Sequence, residues 1–134
     1  MTRARVGAGL DVGKMLPEEG CLLRIFIGES DRHRGQPLHE WLVLQAREQG
    51  LAGATVLRGI MGFGPTSRIH TTKVLRLSQD LPIVVEIVDT EIQIEEFLRI
   101  VEPHIHEGLV TMEHARVRVC RANSHCSGIG TDRI

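Results

Sequence analysis

The chain of 134 residues has no tyrosine, one tryptophan and three phenylalanines. So few rings exclude a nucleic-acid surface built on base stacking, which needs several exposed aromatic faces. An excess of charge of either sign is missing too: sixteen Lys and Arg against seventeen Asp and Glu leave −1. That balance provides no basic footprint for nucleic acid or an anionic membrane. No apolar run reaches the roughly 20 residues of a membrane-spanning helix. Arg3 and Arg5 have no apolar stretch behind them, so no secretory signal is expected. Cysteine is limited to Cys21, Cys120 and Cys126, an odd number that builds no disulfide framework. Cys120 and Cys126 with His125 match no standard zinc spacing and lack a fourth ligand. Reduced thiols in a cytoplasmic protein are the expectation.

What is present is enough apolar content, 42%, for one domain with a real core. Residues 21–120 should form it. Residues 1–20 and 121–134 are turn-rich without an apolar face and read as flexible N- and C-terminal extensions. Leu22–Ile27 is a strand, and 28–35 a charged loop. Helix one has Pro37 in its first turn, Leu38, Trp41 and Leu42 inward, and Gly50 as its closing glycine. Strand two is Ala54–Met61; strand three is Leu81–Val88, preceded by a return arm at Thr72–Leu77. Helix two starts at Thr90, with Gln93 at capping-box spacing. Its face is Ile94, Phe97, Leu98, Val101 and Ile105, and Pro103 ends or kinks it. Strand four is Leu109–Val119, with Ala115, Val117 and Val119 on one face and His114, Arg116 and Arg118 on the other.

The order β-α-β-β-α-β predicts an α+β, ferredoxin-like fold: a four-stranded antiparallel sheet with two helices on one face. A half-exposed antiparallel strand alternates apolar and polar residues. Here Leu22 and Phe26 oppose Leu23, Ile25 and Ile27, so both faces need cover. With no third helix available, self-association is the economical answer.

The glycines Gly59, Gly62 and Gly64, followed by the loop to Lys73 with Arg68 and His70, suit close backbone approach to a phosphate, with Arg58 nearby. Glycines ending a strand more often simply turn the chain. The blocks Leu23–Glu29, Leu51–Gly59, Gly62-Phe63-Gly64, Ile69-His70-Thr71, Leu75–Ser78 and Leu81–Asp89 resemble the PII-like family catalogued as domain of unknown function 190. The resemblance covers about Leu22 to Val119. It implies a homotrimer that binds an adenine nucleotide (AMP, ADP or ATP) between subunits and presents a short loop to a protein target. By the same resemblance Gly59, Gly62, Phe63 and Gly64 lie beside the phosphates, Glu107-Gly108-Leu109-Val110 contribute backbone, and Arg116 and Arg118 reach a neighbour's phosphates. Having no tyrosine, the chain cannot be uridylylated on one as PII proteins are.

Two other classes compete. One is a metal-handling trimer resembling the copper-tolerance A proteins, using His104, His106 or the Cys120/Cys126 tail. The other is an enzyme acting on a phosphorylated small molecule, with Glu86 or His70 as base. No nucleophile elbow, Walker lysine or HExxH is present, so binding is preferred to catalysis and no resident cofactor or metal is expected. Glu86 should pair with Arg24 or Arg58 across the sheet, and His33 and His39 belong to no pattern.

Overall fold

The computed structural model describes residues 19–64, 70–71 and 80–121. The return arm expected at Thr72–Leu77, and both terminal extensions apart from 19–20 and 121, lie outside them. Strand β1 is Glu19–Gly28; Cys21, Leu23, Ile25 and Ile27 are buried, and Leu22, Arg24 and Phe26 between them are half-buried. The segment expected as loop contains a small ribbon, β2 (Arg32–His33) paired with β3 (Gln36–Pro37). Arg34 and Gly35 join them with φ of 51° and 83°, the doubly positive pair of a type I′ turn.

Helix α1, Leu38–Glu48, buries Leu38, Leu42 and Ala46, with Trp41 half-buried against the same core. Gly50, at φ 79°, donates to Arg47 O, and Leu51 donates to Ala46 O. That pair of bonds is a Schellman closure, so the sequence reading of Gly50 holds. Strand β4 is only Thr55–Arg58. It stops short of Met61 because the next partner is Pro82, which accepts from Gly59 N–H at 2.7 Å but has no N–H to return. Met61–Gly62 (β5) instead pairs with His70–Thr71 (β6) in a separate ribbon.

Strand β7, Pro82–Asp89, leads into helix α2, Glu91–Val101, whose first turn is capped by Thr90 Oγ1 accepting from Gln93 N–H at 3.2 Å. Pro103 falls in a 3₁₀ turn, Glu102–His104, so the helix ends early. Strand β8, Leu109–Arg116, completes an antiparallel sheet in the order β4-β7-β1-β8. This is the expected ferredoxin-like arrangement. Leu23, Ile25, Val85 and Ile87 meet Leu42, Ile94 and Phe97 beneath the helices.

The other sheet face is arranged in rows set by the strand register. Leu57, Val84, Phe26 and Leu109 form an apolar row across all four strands. The next row is Thr55, Glu86, Arg24 and Thr111. Arg24 Nε donates to Glu86 at 2.9 Å and Nη1 to Glu113 at 3.0 Å. Those carboxylates, Glu86 first, raise the Arg24 pKa further above its usual value, although desolvation opposes them. Leu57 and Leu109 remain 48% and 56% exposed, so the chain leaves this face uncovered among the described residues.

Candidate functional site

Two glycine-bearing turns lie at one end of the sheet. At the first, a Cβ on Gly59 or Gly62 would come 2.9 Å from Pro82 Cγ, whereas Gly64 has open space around it among the described residues. None of the three has a positive φ. Gly59 and Gly62 therefore serve close packing on the Pro82 ring, and the Gly59 amide is engaged within the chain. Arg58 is exposed and its Nη2 lies 3.0 Å from Glu29. Phe63, 67% exposed, joins Leu57, Ile60 and Met61 in an exposed apolar corner. His70 stands opposite Gly62 in the β5–β6 ribbon, and Arg68 lies outside the described residues.

The second turn precedes β8. Gly108 has φ 149°, and a Cβ there would come 2.5 Å from the Phe26 carbonyl oxygen. Only glycine fits that approach. Glu107 and Leu109 are exposed, and Val110 is half-buried opposite Ile25. The two turns are level along the sheet but sit on its opposite edge strands, about 14 Å apart across four strands.

Arg116 and Arg118 lie at the far end. Arg58 is level with Ile27 and Arg116 with Glu19, eight residues away along β1, or about 27 Å. Arg116 and Arg118 border a cleft of about 590 Å³ that Gly53, Thr55, Glu86 and Val88 also line. An apolar wall, hydroxyl and carboxylate acceptors and two guanidinium donors can take a small molecule carrying both an apolar ring and an anion. The backbone beside the cleft is fixed by Asp89, fully buried, which accepts from Ala52 N–H at 2.8 Å and Thr90 N–H at 2.7 Å.

The sequence residues thus fall into two groups that one chain does not bring together. Gly53, Thr55 and Val88 escaped sequence reasoning as site residues, and Glu86 entered it as an ion-pair partner and a candidate base. The available signal was the run of small residues Ala52-Gly53-Ala54 between a helix cap and a strand. Of the residues named for metal, His104 contacts the rings of His33 and Trp41. Among the described residues no group of three or more His, Cys, Asp or Glu is placed to hold a metal ion. Cys120 is disulfide-bonded, against the expectation of reduced thiols; an odd count forbids complete pairing, not a single bridge. Cys21 is a free, buried thiol whose pKa is raised by desolvation and then by Glu91 and Glu95. No helix among the described residues is long and apolar enough to cross a membrane.

Some known proteins share much of the sequence, and others share the fold. A UPF0166 protein of Aquifex aeolicus is 44% identical over 96 residues, 72% of this chain and 90% of its own length. A UPF0166 protein of Methanocaldococcus jannaschii is 30% identical over 97 residues, covering 72% and 89%. Among solved structures, CPII of Thiomonas intermedia K12, a nitrogen regulatory PII-like protein bound to ADP, AMP and bicarbonate, superposes with TM-score 0.57. It is 17% identical, with 74% of this chain and 88% of that one covered. A putative PII-like signaling protein of Thermus thermophilus gives TM-score 0.53 at 18% identity, covering 83% and 98%. At such identities the structures share the fold, which is PII-like. The profile of DUF190, described as "Uncharacterized ACR", matches residues 20–117, and the chain belongs to that family.

Proposed function

We propose that this is a PII-like regulatory protein, a homotrimer that binds an adenine nucleotide in the clefts between subunits and acts by binding rather than catalysis. One observation carries the reading. The cleft with Arg116 and Arg118 lies at one end of the sheet, and the glycine turns at Gly59–Gly64 and at Gly108 lie at the other, about 27 Å away.

Each end is half a site, and a head-to-tail ring of copies brings the two halves together. In that arrangement the cleft takes the base and sugar against Val88, Thr55 and Glu86, and Arg116 and Arg118 meet the phosphates. The exposed apolar corner of Leu57, Ile60, Met61 and Phe63 closes over it from the neighbour. The uncovered apolar row of the sheet supplies the surface for the ring. The ADP and AMP bound to CPII support an adenine nucleotide as the ligand. The loop after Gly64 is then the part read by a protein target.

Calorimetry of the tag-free protein against AMP, ADP, ATP and GTP tests the ligand. Complementation tests the shared site: Gly62→Val and the double variant Arg116→Ala, Arg118→Ala each lose binding alone. Mixed after dissociation and reassembly, they recover about a quarter of the sites if each cleft draws on two subunits. No recovery in mixed trimers overturns the shared cleft.

A further inference from the structure

His33, Trp41 and His104 come from three separate elements and meet ring to ring. The centroids of His33 and Trp41 are 4.0 Å apart, those of His33 and His104 4.6 Å, and those of Trp41 and His104 5.0 Å. His33 lies in the β2–β3 ribbon, Trp41 on α1, and His104 in the 3₁₀ turn that ends α2. Four residues after His104 comes Gly108, held against the Phe26 carbonyl. The cluster therefore anchors one end of the short segment 105–108, and the close approach of Gly108 to β1 anchors the other.

We propose that the His33–Trp41–His104 cluster is a proton-operated clasp on the turn before β8. With His33 neutral, the rings pack and hold the 3₁₀ turn to the ribbon. With His33 protonated, its cation sits within 4.6 Å of the His104 ring, which opposes that charge, and the contact opens. The surrounding charges favour this. His33 has its pKa lowered by desolvation first, and then by His104, Arg34 and His106. The charges acting on it are cationic on its own ribbon and on the segment after α2; Trp41, on α1, brings no charge. The clasp operates whether or not a nucleotide is bound.

Trp41 is the single tryptophan, and there is no tyrosine, so its emission reports on this cluster alone. The full-length protein, titrated from about pH 8 to about pH 5, should lose emission as imidazolium forms beside the indole, with a midpoint below the ordinary histidine value of about 6.5. His104→Gln should move the His33 midpoint upward, because a neighbouring cation is gone. The double variant His33→Gln, His104→Gln should show no transition, with circular dichroism unchanged. Amide NMR signals of Glu107 and Gly108 should shift in step with the emission. Emission that is flat with pH, or a transition retained in the double variant, overturns the cluster's titration. Glu107 and Gly108 signals that stay fixed while Trp41 titrates overturn the clasp.

Discussion

At the scale of single residues, the glycines are not equivalent. Gly108 combines φ 149° with a carbonyl oxygen 2.5 Å from any added Cβ, and a Cβ on Gly64 meets nothing within 4 Å among the described residues. Gly108→Ala should therefore destabilise the fold by about 1–3 kcal/mol, and Gly64→Ala should stay within about 0.5 kcal/mol; urea unfolding measures both. His33 sets a pH dependence whose sign follows from its lowered pKa. The unfolded chain binds that proton more readily, so stability is unaffected well above about 6.5 and falls as pH drops through that value. It stops falling, for this group, below the folded pKa. Melting temperatures at about pH 7.5 and about pH 5.5, either side of that value, should differ more for the native chain than for His33→Asn. Neither feature was legible in sequence. His33, Trp41 and His104 belong to three different elements, and nothing local marks them as neighbours.

At the scale of elements, local patterns carried the helices. The face Ile94, Phe97, Leu98 and Val101 is buried as its spacing predicts, and Gly50 closes α1 as its position predicts. The break of strand two was not legible, because it depends on which residue faces Gly59. Antiparallel register puts Pro82 there, and its ring fills the space a side chain would need. Gly62→Val should push the β5–β6 ribbon off that ring, and Pro82→Ala should recover part of the loss. A double-mutant cycle by urea unfolding should show coupling of about 0.5–3 kcal/mol; additive effects would place the Gly62 strain elsewhere.

At the scale of the whole molecule, the uncovered row Leu57, Val84, Phe26 and Leu109 is the surface on which the proposed trimer depends. Val84→Asp or Leu109→Glu should give folded monomers by light scattering, because a charge would have to be buried without a partner. Ile92→Asp, on the outer face of α2 at 73% exposure, should leave the assembly unchanged. Val85 and Ile87 do not serve this test, since both are buried under the chain's own helices.

Helix faces, caps and the order of elements are written in residues three, four or two apart, and such short-range periodicity determined them before any contact was known. The doubly apolar strands likewise led to the expectation that a second face needs cover. What meets what was decided only by the tertiary structure. Register placed Pro82 under Gly59 and Gly62, set Arg24 between Glu86 and Glu113, and left Glu29 to Arg58. It also separated Arg116 and Arg118 from the glycine turns by the length of the sheet. Pairing between distant strands is a non-local choice, settled by the sum of packing over the whole core, and no window of sequence contains it.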